Sequence, residues 1–326
     1  MVGKLRWFVF MGMVAVGVAG CAKKEMVAPA EKPTAKKEEP AAGKASARRV
    51  VPEGADAPLF NDLGSHHYPV TTTSKLAQRY FDQGLILAWG FNHAEAARSF
   101  REAQRLDPKC AMCSWGEAYV LGPNINKPMD EADAVPAWKA LQAAKAAAKN
   151  AGPKEQALIE ALSKRYAEKA PKDRSGLDKD YAAAMRKVAK AYPDDLEVQT
   201  IFAESLMDTM PWNYYEKGGA PKPATKEVVA ALESVMAREP RHAGAIHLYI
   251  HAVEASSTPE RAEAPADRLA DLVPGAGHLV HMPSHIYFRV GRYQDANEAN
   301  DRAATADESY ISQCLAQGFY PALYYP

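Results

Sequence analysis

Small and helix-stopping residues recur along this chain at a spacing of about 34 residues, the period of a stacked helix-turn-helix repeat. A unit beginning at Ala243 places Ala262, Leu269 and Pro274 at its twentieth, twenty-seventh and thirty-second positions and ends at Ala276. The next begins at Gly277 without slack and carries Gly291, Tyr293, Ala296 and Ala303 at matching offsets. An earlier unit sets Gly84, Ala96, Phe100, Ala103 and Pro108 in the same register. Alanine at these offsets lets two helices approach closely. Proline stops the second helix and biases the residue before it away from the helical region. One such unit cannot bury its apolar face alone, so several must stack. Helix formers dominate residues 58–326 and no sustained alternating strand pattern interrupts them, so the expected class is all-α.

These residues resemble the tetratricopeptide repeat (TPR) family. Strings such as Gly90-Phe91-Asn92-His93-Ala94-Glu95-Ala96, Leu106-Asp107-Pro108-Lys109-Cys110-Ala111-Met112-Cys113 and Gly277-His278-Leu279-Val280-His281-Met282-Pro283-Ser284-His285 are similar to secreted bacterial TPR lipoproteins. The resemblance implies a TPR-like helical-hairpin solenoid over 58–326. It also implies that the first helix of each unit lines a concave groove. Carried over position by position, Met112, Trp115 and Tyr119, then Thr200, Glu204 and Asp208, and finally Arg289 would line that groove and meet a protein or peptide partner. Packing of Met112, Trp115 and Tyr119 in the core is the alternative.

The same register places histidines on the groove wall. Six of the nine fall between Pro240 and Ala303. His247, His251 and Glu254 share one first helix, and His278, His281 and His285 the next. Spacings of three and four put residues on one helical face independently of any family. Imidazole suits zinc, copper or nickel, and a zinc site takes three or four protein ligands. Pro283 is best placed in the first turn of a helix, so a helix is expected to begin there, with His278 and His281 on the approach to it.

The N-terminus reads as targeting. Lys4 and Arg6 precede an apolar run from Trp7 to Ala19, too short for a membrane span of about 20 residues. Val18-Ala19-Gly20-Cys21 resembles a bacterial lipobox, which implies a signal peptide over 1–20 and lipidation of Cys21. Ala22 implies outer-membrane sorting, with the domain facing the periplasm. Residues 21–57, rich in Lys, Glu, Ala and Pro, read as a disordered, lipid-anchored linker. At the other end, Tyr310 to Tyr325 reads as a first helix without its partner, so the expectation is a chain truncated at its C-terminus.

Forty basic residues balance forty acidic ones, which removes any global electrostatic case for nucleic acid. Cys110 and Cys113 form a Cys-x-x-Cys pair, but Ser114 stands where haem attachment needs histidine, and no thioredoxin-like sheet is evident. A structural disulfide or two buried thiols is the leading expectation, with a metal or redox role for the pair as the alternative. No His-Glu-x-x-His pattern and no phosphate-cradling loop is present. The chain is therefore expected not to be an enzyme. The leading expectation is a protein- or peptide-binding scaffold, the alternative a transition-metal-binding protein, and a hydrolase stands third.

Overall fold

Ser74 and Asp195 show how the sequence starts its helices. Each sits in extended backbone and accepts a hydrogen bond from the backbone N–H three residues on, so each caps a helix. Pro153, Pro223 and Pro283 open others at a first-turn position, where their missing N–H is no loss. The computed structural model describes residues 49–313 and 318–323. Two short strands, β1 (Arg49–Val50) and β2 (Leu59–Phe60), pair antiparallel and precede the helices. The helices are α1 (Lys75–Trp89), α2 (His93–Leu106), α3 (Ala111–Val120), α4 (Ala134–Ala147), α5 (Pro153–Leu162), α6 (Ser175–Ala191) and α7 (Leu196–Met207). They continue with α8 (Pro223–Arg238), α9 (Ala243–Val253), α10 (Glu263–Leu272), α11 (Gly277–His281), α12 (Pro283–Val290), α13 (Tyr293–Gln313) and α14 (Tyr320–Leu323). The described fold is all-α apart from the strand pair. No helix among the described residues is long and apolar enough to cross a membrane.

Packing is mostly between sequence neighbours: α1 on α2, α2 on α3, α3 on α4, α6 on α7, α7 on α8 and α8 on α9. The repeat residues explain the closeness. The Phe100 ring of α2 lies between Gly84 of α1 and Gly116 of α3. A methyl group at Gly84 would stand 2.8 Å from that ring, and one at Gly116 only 2.4 Å. Gly116→Ala is therefore expected to destabilise the protein by about 1–3 kcal/mol, the usual cost of overpacking a core, measured by urea unfolding. An unchanged midpoint would show that Phe100 can move aside.

Longer-range contacts bring the first helix against the ninth. Helix α1 packs on α9, where Gly244 leaves room for the Trp89 indole; a Cβ there would meet it at 2.6 Å. The lead-in before α1 is tied down on both sides. Tyr80 Oη donates to the Ala57 carbonyl at 2.6 Å, and the Gly275 N–H donates to the Asp62 carbonyl at 2.8 Å. The described residues belong to one compact unit.

Some boundaries differ from expectation. Residues 49–57, assigned to the linker by composition, include β1 and the buried Ala57. Asn92, at the N-cap of α2, makes no side-chain hydrogen bond to that helix; its Oδ1 accepts from Tyr310 Oη at 3.3 Å. Tyr310 does not begin a helix but lies inside α13, because no glycine or proline interrupts 293–313. Cys110 and Cys113 are joined in a disulfide at the start of α3. The signal peptide, Cys21 and Cys314 lie outside the described residues.

Candidate metal centre

Helices α9, α11 and α12 bring five imidazoles and a carboxylate into one contiguous cluster. His247 and His251 stand one turn apart on α9, and Glu254 is the residue just past its end. Pro283 splits the next stretch into α11, with His278 and His281, and α12, with His285, as its position predicts. Ring centroids follow one another at 5.0 Å (His247 to His278), 4.9 Å (His247 to His251), 5.5 Å (His251 to His285) and 4.8 Å (His285 to His281). One ligand atom from each of His247, His251 and His278 lies within 4.8 Å of the other two, and the same holds for His251, Glu254 and His285. The repeat register named all six of these residues.

Hydrogen bonds set the chemistry of the ring nitrogens. Glu254 is held at about 2: burial alone would raise it, but the hydrogen bonds from His251 and His285 outweigh burial. As a carboxylate it only accepts. Its Oε1 lies 2.9 Å from His251 Nδ1 and its Oε2 2.7 Å from His285 Nδ1, so both Nδ1 atoms carry the proton. His251 Nε2 is then a lone pair, buried and without a hydrogen-bond partner. A carboxylate behind an imidazole is the usual support for a metal-ligating histidine.

The spacing of the nitrogens suits an ion. At metal–nitrogen distances of about 2.0–2.1 Å, two ligands at a right angle stand about 2.9 Å apart, and two at the tetrahedral angle about 3.3 Å apart. His247 Nε2 and His278 Nε2 are 3.2 Å apart, and His281 Nε2 and His285 Nε2 are 2.9 Å apart. Burial holds His247 and His278 well below the ordinary imidazole value and lowers His251; it brings His281 down to about 4. These rings are neutral near pH 7, the form that binds metal.

Two aromatic residues cover the cluster at a conformational cost. Phe91 and Trp212 are the non-glycine residues with positive φ among those described, at 55° and 60°. Strain of this kind concentrates at functional sites. The Phe91 ring lies 4.6 Å from that of His247 and 5.3 Å from that of His278. Trp212, half exposed, sets its ring 5.1 Å from that of His251, centroid to centroid, and nearly perpendicular to it. Inner His247, His251 and His278 are buried, whereas His281, His285 and Glu254 are partly open to solvent.

The residues assigned to an open groove lie elsewhere. Met112, Trp115 and Tyr119, together with Thr200, Glu204 and Asp208, are buried, because α1, α2, α4 and α5 pack on α3 and α6, α8 and α9 pack on α7. They present no free surface to a peptide. Arg289 is exposed on α12. Tyr119 Oη donates to Glu204, and Asp208 pairs with Arg165 at 2.6 Å, a buried arginine that the repeat register did not single out. Burial first, then the charge of Asp208, raises the Glu204 carboxyl well above its ordinary range. The unfolded chain releases this proton at lower pH than the folded one, so Glu204 takes stability away as pH rises above about 4.5, by up to about 1.4 kcal/mol per pH unit. Glu204→Gln keeps the shape without the charge. Its stability advantage over wild type is expected to grow from pH 5 to pH 8 in urea unfolding. An offset independent of pH would contradict this.

His242 is spent differently from its neighbours. Its Nδ1 accepts from the Ala245 N–H and caps α9, while its Nε2 lies 3.0 Å from Glu197. His66 reaches the same Glu197 oxygen at 2.6 Å beside a cavity of about 590 Å³. This buried carboxylate with two imidazoles ties the lead-in to α7 and α9. His67 pairs with Asp82 outside the metal cluster. No protein-family model matches the chain, and no curated protein matches it.

Proposed function

We propose that this chain binds a transition-metal ion, zinc, copper or nickel, through His247, His251 and His278, with Glu254 holding His251 from behind. The observation that carries the reading is the buried, unpartnered Nε2 of His251 beside ligand atoms of His247 and His278. A buried polar atom without a partner costs about 1–3 kcal/mol, and an ion would remove that cost. Three imidazoles match the softness of late first-row divalent ions rather than magnesium or calcium, which prefer oxygen.

The scaffold is a TPR-like solenoid, supported by the neighbour-to-neighbour helix packing and by Phe100 seated between Gly84 and Gly116. The resemblance of Val18–Cys21 to a lipobox supports a location in the bacterial cell envelope, lipid-anchored at the outer membrane and facing the periplasm. In this reading the protein is not a catalyst and holds or delivers its ion. A protein or peptide partner remains a reading of the repeat resemblance alone.

The test is retention. The full chain, stripped with a chelator, is loaded separately with Zn(II), Ni(II) and Cu(II) and passed through a desalting column. At least one equivalent of one of these ions per chain is expected by elemental analysis. Retention of none of the three would contradict the proposal.

A further inference from the structure

The outer end of the cluster carries a separate argument. His281 and His285 stand four residues apart across Pro283, with their Nε2 atoms 2.9 Å from each other. That distance is a hydrogen bond only if one ring carries its proton on Nε2, and the acceptors facing the other nitrogens favour Nδ1 on both. His285 Nδ1 lies 2.7 Å from Glu254 Oε2, a carboxylate oxygen that can only accept. His281 Nδ1 lies 2.6 Å from Asn300 Oδ1, an amide carbonyl that can only accept. With both rings neutral and these carbonyl and carboxylate oxygens as the nearer partners (Ser284 Oγ also approaches His281 Nδ1, at 3.4 Å), both protons sit on Nδ1 and neither Nε2 has one to give. Two lone pairs face each other at a distance suited to two ligands at a right angle on one ion.

From this juxtaposition we infer a second ion position, held by His281 Nε2 and His285 Nε2, which makes the cluster a two-ion centre. The inference rests on the reading of the inner trio as the first position. It takes the same class of ion, a late first-row divalent metal with imidazole affinity. Only two protein ligands face this position, and His285 is about a quarter exposed, so water completes the coordination. The outer ion is accordingly the weaker and more readily exchanged one.

Glu254 links the two positions. One of its oxygens orients His251, the inner ligand, and the other orients His285, the outer one. The rings of His251 and His285 are 5.5 Å apart, so the two ions share one supporting carboxylate across a short gap. An ion that fixes Glu254 from one side also fixes the ring on the other. The inner ion is expected to fill first, and repulsion between two divalent charges this close further weakens the outer one.

Ni(II) titrated by calorimetry into the full, chelator-stripped chain gives the test. Two equivalents are expected, the second weaker. His285→Ala is expected to bind one. Asn300→Leu leaves both imidazoles in place but removes the acceptor that orients His281; it should weaken the second equivalent about 10- to 100-fold and leave the first unchanged. Asn300→Asp, which keeps an acceptor, should retain two. Circular dichroism of each variant reports whether it folds, and His281→Gln replaces His285→Ala if the latter does not. Two equivalents in a folded variant lacking either outer imidazole would overturn the second position. One equivalent in wild type would also overturn it and leave the inner position standing, whereas no binding at all would remove both.

Discussion

Replacing His251 with alanine is expected to weaken binding of the first ion by more than about a hundredfold, beyond the 10- to 100-fold that loss of a supporting hydrogen bond costs. His251 stands at the junction of the cluster. Its Nε2 is the buried lone pair without a partner, and its Nδ1 is the atom through which Glu254 acts. Both features disappear in His251→Ala. Glu254→Gln tests the support separately and should fall in the 10- to 100-fold range, because an amide can still accept from one ring but no longer from two with equal strength. Competition against a chromophoric chelator measures both variants. The alanine also removes a ring packed between Phe91 and Trp212, so thermal melting without metal separates loss of packing from loss of ligation. Wild-type affinity in His251→Ala would exclude it as a ligand.

Asp208→Ala should lower stability by about 3–5 kcal/mol, the cost of leaving a buried charge without its partner. Arg165 is 1% exposed. Its guanidinium donates to Asp208 Oδ2 at 2.6 Å and to the Pro123 carbonyl at 2.7 Å. The Tyr181 ring lies 4.9 Å beneath it. Loss of the carboxylate leaves the cation in an interior that repays little of its desolvation. Arg165→Met with Asp208→Leu removes both charges and fills the volume. The double variant should lose much less than Asp208→Ala, because a buried ion pair is often no better than well-packed apolar side chains. Denaturant unfolding of the two variants settles the comparison. A double variant as unstable as the single one would show that the pair contributes shape rather than compensated charge.

Local features of the fold were legible because they are written in single residues. Pro108, at the thirty-second position of its unit, follows the end of α2 at Leu106, and Pro283 starts α12 as its residue type predicts. The imidazole cluster was legible because one 34-residue step carries the His247 and His251 face onto that of His281 and His285. What the register cannot show is how far the stack turns. Met112, Trp115 and Tyr119 sit on the expected wall, but burial there depends on helices remote in sequence. Phe91, Trp212 and Asn300 reach the cluster from a turn, an insertion and α13, and no periodicity links them to it. Arg165 lies just past the end of α5, outside any helical register. Its role follows only from the meeting of 165 with 208 across 43 residues.

X-ray absorption at the zinc edge, on the full chain carrying one equivalent of Zn(II), addresses the inner imidazoles directly. Three or more nitrogen scatterers at about 2.0–2.1 Å, with the outer-shell pattern of imidazole rings, are expected. A spectrum of oxygen or sulfur neighbours without that pattern would contradict ligation by His247, His251 and His278.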